Sequence, residues 1–166
     1  KLKKTAEQSG RYLFIAEHRG GPLSIENHRK LMRWAIECAE HVLPLIGEDV
    51  DNRLVQALDV AKDWEKGNVP TGVAMKASLE AHAAARQSDH PVTRLVARAI
   101  GQAVATAHMA DLSLGSAFYA LKAVKLANAD LEKERDWQNE RLAALPAPIK
   151  DIVRDMWYKK ELDRRI

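Results

Sequence analysis

Six histidines and one cysteine are the residues of this 166-residue chain best able to do chemistry, and their spacing decides which chemistry. Cys38 and His41 stand three apart in a stretch of helical period, so thiol and imidazole could meet on one face, as a nucleophile and its base require. Glu37 and Glu40 flank the thiol, however, and negative neighbours disfavour a thiolate, so Cys38 reads as a small core residue. His41, His82 and His108 fall on three different apolar segments. Glu37 precedes His41 by four residues and Asp111 follows His108 by three, and helical bundles hold metal ions with facing carboxylates and histidines of this sort. The paired Glu-x-x-His pattern of di-iron bundles is missing. His41, His82, His108 and Asp111 are therefore the candidate metal ligands, against the plainer reading of histidines that tie helices together. No Ser-His-Asp grouping has a local motif, no glycine-rich loop could cradle a phosphate, and no cofactor is expected.

Carboxylates close enough to act in pairs occur at Asp59 and Asp63, among Lys62 and Lys66, and in the run Glu132 to Asp136. Both stretches read as solvated helix faces, Glu134 and Arg135 included. Arg86 and Arg98 lie on mostly apolar segments and are expected to pair with Glu37, Glu40 or Glu80. The four tryptophans read as core anchors.

The elements that position these residues follow from the punctuation. Ser24 is a good N-cap with Glu26 in the first turn, and Leu31, Trp34, Ala35, Cys38, Val42 and Leu45 recur at helical steps until Pro44 and Gly47. Asp51 caps a second helix through Leu54, Ala57, Leu58, Ala61 and Trp64, which stops at Gly67. A third runs from near Thr71 to about Gln87. Pro91 suits the first position of a fourth, whose polar residues reduce to the stripe Arg94, Arg98 and Gln102. On that helix Ala97, Gly101 and Ala105 form a flat ridge against which another backbone can pack. Asp111 is expected to cap or kink the entry to a fifth helix, apolar except at Lys122 and Lys125. Asp130 caps a sixth, Leu131 to about Leu145. Beyond Pro146 and Pro148, Ile149, Ile152, Val153, Met156 and Trp157 define a last amphipathic helix.

The fold expected is all-α, a compact bundle of about six to seven helices in one domain over residues 1–166. Helices four and five are its two nearly fully buried central members. A short arm at 1–22 precedes the core at 23–145, with Tyr12, Leu13, Phe14 and Ile15 against the body, and the C-terminal helix occupies 146–166. Composition agrees: 26 alanines with 5% aromatic residues favour helices and argue against a β-sandwich. One cysteine forms no internal disulfide and suits a reducing, cytoplasmic setting. The basic start at Lys1 to Lys4 is followed by no apolar run of signal-peptide length, and no stretch is long and apolar enough for a membrane helix. The net charge of +3 is unevenly spread. Residues 1–33 carry eight basic and three acidic side chains, residues 34–66 three and eight, residues 67–128 six and three, and the remainder nine of each. No segment is a basic stripe interleaved with aromatics, so nucleic acid is not an expected partner.

Six stretches carry a resemblance. They are Trp34 to Leu45 (WAIECAEHVLPL), Ala57 through Trp64 with Gly67, Ala81 to Arg86 (AHAAAR), Ala103 to Asp111 (AVATAHMAD), Gly115 to Ala123 (GSAFYALKA) and Glu134 to Leu142 (ERDWQNERL). In this order the chain, over roughly residues 20–145, resembles the alanine-rich all-helical family named putative immunity proteins, of bacterial polymorphic toxin systems. The resemblance implies a small cytosolic protein that neutralises a cognate toxin by binding it, with no catalysis of its own. The acidic surplus of residues 34–66 is compatible with that: Asp51, Asp59 and Asp63 are the candidate contacts for a basic toxin domain. The alternatives from other classes are a metal-dependent helical enzyme using His41, His82 and His108, and an oligomeric scaffold built on the Ala97–Gly101–Ala105 ridge.

Overall fold

A computed structural model describes residues 10–166, and the regular elements of the described residues are all helical, without a strand. The helices are α1 (Ile25–Val42), α2 (Asn52–Glu65), α3 (Thr71–Gln87), α4 (Pro91–Ala105), α5 (Ser113–Leu126), α6 (Leu131–Ala143), α7 (Ala147–Lys159) and the short α8 (Leu162–Arg165). Single 3-10 turns occupy Glu17–Arg19, Leu43–Ile46 and Ala110–Leu112.

The ends follow local chemistry. Ser24 accepts a hydrogen bond from the Asn27 amide, Asp51 from Arg53 and Asp130 from Lys133, so each satisfies an amide that the first helical turn leaves unpaired. Pro91 opens α4, where its missing N–H is not needed. Gly67, at φ +79°, lets the chain reverse after α2, with its amide on the Trp64 carbonyl and the Asn68 amide on the Asp63 carbonyl. Asp111 does not cap α5. It lies in the Ala110–Leu112 turn, and Ser113 Oγ instead closes on the Ala110 carbonyl at 2.7 Å.

α4 is the hub, packing against α1, α2, α3 and α5. Gly101 makes the α3 contact possible: a Cβ there would stand 2.6 Å from the His82 ring, and Ser78 Oγ donates to the Gly101 carbonyl at 2.9 Å. Ala97 and Ala105 are buried on the same ridge, which is thus used inside the molecule. α4 and α5 bury most of their length, but Pro91–Leu95 and Lys125–Leu126 leave one end of the pair open.

Alanine and glycine faces let α1–α5 close on one cluster that includes Met32, Ile36, Leu54, Ile100 and Val104. A second cluster lies on the other side of α1. There Leu31, Trp34 and Cys38 meet Leu114 and Leu121 of α5, Leu142 of α6, and Ile149, Val153 and Trp157 of α7. Phe14 and Leu23 close its edge. Residues 15–23 form a loop folded on itself, with Leu23 N–H on the Ile15 carbonyl and Glu17 N–H on the Leu23 carbonyl. The expected arm is therefore corrected in part: Phe14 is buried and Ile15 half-buried, but Tyr12 and Leu13 are 47% and 40% exposed. The part of the arm at residues 1–9 lies outside the described residues.

Candidate functional site

The expected metal ligands are not brought together. His41 ends exposed at the last turn of α1, His82 lies half-buried on α3, and His108 is exposed in the turn after α4. Among the described residues no three His, Cys, Asp or Glu side chains group as a metal would require. His41, His82 and Asp111 each have another partner. His41 Nδ1 donates to the Glu134 carboxylate at 2.6 and 2.9 Å, and its ring stacks on Trp137 at 3.6 Å and 4°. His82 Nδ1 accepts from Arg98 at 2.8 Å; burial, followed by the Arg98 and Arg86 charges, holds this imidazole below its ordinary pKa, hence neutral. Asp111 turns a nearly covered carboxylate toward Arg11, 3.9 Å away, with Oδ1 buried and unbonded.

Cys38 is fully buried, so the Cys38–His41 pair does not form. Burial, then the charges of Glu134 and Glu37, push its thiol well above the ordinary value of 9.0. The arginine pairing also differs from expectation. Arg98 meets His82, while Glu37 pairs with Arg141 at 2.6 Å and Glu40 with Lys62 at 2.9 Å.

Three polar residues inside the fold, His28, Glu134 and Gln138, stand outside the candidates read from the sequence. His28 is 1% exposed and packs against Trp64 with ring centroids 4.7 Å apart. Its Nε2–H donates to the Thr106 carbonyl at 2.6 Å, and its Nδ1 is buried without a partner. The signal was there: residues 28, 31, 35, 38 and 42 form one helical row, and four of the five are apolar. Glu134, expected on a solvated face, is 9% exposed, and Gln138 is fully buried with Nε2 on the Ala117 carbonyl at 3.0 Å. They continue the inward row of Leu131 and Leu142. Trp34, Trp64 and Trp157 are core anchors as expected, but Trp137 is half-exposed beneath His41.

What the surface offers a macromolecular partner is different. Residues 51, 55, 59 and 63 step by four along α2, a spacing that sets them in one row. The row reads Asp, Val, Asp, Asp. Val55 is 42% exposed, Asp59 is exposed and Asp63 is half-exposed. Asp51 is bound to Arg53, whose hydrogen bonds hold its carboxyl below the ordinary 3.8. Much of the acidic surplus of residues 34–66 is spent in pairs: Glu37 with Arg141, Glu40 with Lys62, Glu65 with Arg33. Of the eight acidic residues at 34–66, Glu48, Asp49, Asp59 and Asp63 have no cation within 4.0 Å among the described residues, and these are the segment's carboxylates available outward. Beside Asp49 and Asp51 a cleft of about 500 Å³ opens between the start of α2 and the α3–α4 turn, lined also by Arg53, Gln87 and His90.

The described residues thus form an all-helical bundle with an exposed row on α2 that carries Asp59, Asp63 and Val55. Residues 21–145 match the family described as Imm-5 like putative immunity protein, and the chain belongs to that family. Comparison with curated proteins and with solved structures gave no match. Among the described residues no helix is long and apolar enough to cross a membrane.

Proposed function

We propose that this protein neutralises a cognate bacterial toxin in the cytoplasm by binding it directly, as a single-domain protein without catalysis of its own. The observation that carries the reading is membership of the immunity-protein family over residues 21–145. The α2 row is the proposed contact: Asp59 and Asp63 supply charge, Asp51 extends it at the helix start, and Val55 supplies an apolar centre. An acidic row suits a basic toxin domain such as a nuclease, because complementary charge speeds encounter and penalises wrong partners. Asp59 and Asp63 carry no cap or ion pair to another described residue, so replacing them leaves the bundle intact.

The test is co-expression with the toxin domain encoded beside this protein. The unaltered chain restores growth, and the double variant Asp59→Lys, Asp63→Lys loses that protection while keeping its helical circular dichroism and melting temperature. Full protection by the double variant removes the α2 row from the interface. Failure of the unaltered chain to protect removes the immunity reading for that toxin.

A further inference from the structure

Three of the six basic residues of 67–128, Arg94, Lys122 and Lys125, gather at the open end of the α4–α5 pair. There Arg94 and Leu95 face Lys122, Lys125 and Leu126 across a cleft of about 710 Å³, closed on one side by Ile166. The cations are held in place. Arg94 Nε donates to the Ser88 carbonyl at 2.6 Å, Lys125 Nζ to the main-chain oxygen of Ile166 at 2.9 Å, and Lys122 lies 5.3 Å from the Phe118 ring centre. Among the described residues Arg94 and Lys122 have no carboxylate within 4.0 Å, and Lys125 is held by the main-chain oxygen of Ile166. Leu126 stands 49% exposed beside them. Lys125, in the last turn of α5, offsets that helix's carbonyl dipole. The dipole does not account for Arg94 on the neighbouring helix, nor for leucines from both helices in the same cleft.

Resting on the immunity reading above, we propose that this cleft is a second contact for the toxin, taking an acidic segment that carries a bulky apolar side chain. The cleft is open to the surface, with Leu95, Leu126 and Ile166 as its apolar lining and Arg94, Lys122 and Lys125 as its charged side chains, so its complement is an apolar group flanked by carboxylates. It opens beside Pro91 at the start of α4, while the cleft that holds Asp49 and the Asp51–Arg53 pair opens beside His90. The α3–α4 turn thus separates the basic cleft from the unpaired carboxylate of Asp49. A partner that matches both is fixed in orientation as well as position, and a uniformly basic protein is turned away by the basic cleft.

The experiment uses the full chain, the toxin domain encoded beside it, and two variants, Lys122→Glu/Lys125→Glu and Leu126→Asp. Affinity is measured by calorimetry at low and moderate salt, and the variants' folds are checked by thermal melting. The proposal expects both variants to melt like the unaltered chain and to bind at least about tenfold more weakly, with the lysine variant also losing part of the salt dependence. Unaltered affinity in both variants overturns the second contact while immunity and the α2 row stand. No binding by the unaltered chain overturns the immunity reading and this proposal with it. The acidic α2 row of a second copy is the competing occupant. Self-association in sedimentation, abolished by the same variants without any change in toxin binding, assigns the cleft to that copy and overturns the proposal.

Discussion

His28→Gln tests how this fold tolerates a buried imidazole. Nε2 donates to the Thr106 carbonyl, so that nitrogen carries the proton and Nδ1, buried and unbonded, stays bare. Protonating Nδ1 would place a charge and an unmatched donor against Trp64. Burial accordingly lowers the pKa of His28 from the ordinary 6.5, opposed by the Thr106 hydrogen bond and reinforced by His18. Because the folded-state pKa is depressed, the unfolded chain takes up the proton first. Stability is undiminished above 6.5, falls as pH drops below it, and levels off only below the folded-state value. The steepest slope one such group can contribute is about 1.4 kcal/mol per pH unit. His82, also depressed, acts in the same direction, so the variant is needed to isolate His28. Gln can keep a donor for Thr106 and does not titrate. Urea unfolding from pH 7.5 to 5 should show the unaltered protein the more stable at neutral pH, by about 1–3 kcal/mol. The gap should narrow toward acid at up to that same slope. Asp51, whose depressed carboxyl loses its contribution only below 3.8, lies outside this window. A gap independent of pH, or an NMR titration placing the His28 ring at or above 6.5, refutes the reasoning.

Other expectations can be checked alongside. Gly101→Ala should destabilise the protein by about 1–2 kcal/mol, because a Cβ 2.6 Å from the His82 ring costs more than the helix gains from alanine; in a His82→Ala background the same change should stabilise by up to about 1 kcal/mol, and denaturant cycles would reveal a failure of that sign to reverse. Cys38 should resist a thiol reagent at pH 8 in the folded protein and react at once in denaturant; labelling of the native state within minutes would contradict its burial. Gln138→Leu should change stability by less than about 1 kcal/mol, since the Trp34 Nε1–H bonds the backbone carbonyl at 138 and not its side chain; Gln138→Glu should cost several kcal/mol by burying a charge, and thermal melts separate the two.

Helix positions were readable because caps and glycines act locally: Ser24, Asp51, Gly67, Pro91 and Asp130 do what their side chains or backbone freedom dictate wherever they occur. Which polar residues lie inside was not, because a half-polar helix such as α6 can be docked by one buried row. Glu134 looks solvated in a run of charges, and only α1, arriving with His41, makes it an interior partner. The same holds for the histidines. His41 and His108 sit in apolar stretches yet end at exposed helix termini, while His28, beside Asn27 and Arg29, points straight into the core. Periodicity ranks faces by average hydropathy, and a single imidazole with one carbonyl to bond does not move that average. The candidate contact row at Asp51, Asp59 and Asp63 needed only the four-residue step, so it was legible early. The cation cleft was not, because Arg94 and Lys125 are far apart in sequence and meet only when α4 and α5 pack antiparallel.

The division of the core bears on where recognition can vary. The matched segment ends at residue 145, yet Ile149, Val153 and Trp157 of α7 cover Trp34, Leu31 and Cys38. α7 is therefore integral to this chain's stability although it lies beyond the family's shared pattern. Removing it would expose a buried tryptophan and fail for reasons unrelated to toxin binding. The proposed cleft straddles the same boundary, with Lys122 and Lys125 inside the matched segment and Ile166 outside it. The α2 row lies wholly inside. If both surfaces meet the toxin, α2 supplies charge from the shared scaffold, and the C-terminal tail supplies part of a pocket that the shared scaffold does not fix. Exchanging the tail after α7 should then alter discrimination between related toxins more than overall stability, because α8 buries only Leu162 while Ile166 shapes the cleft rim. Equal discrimination by such exchanged chains, with stability retained, would place specificity on α2 instead.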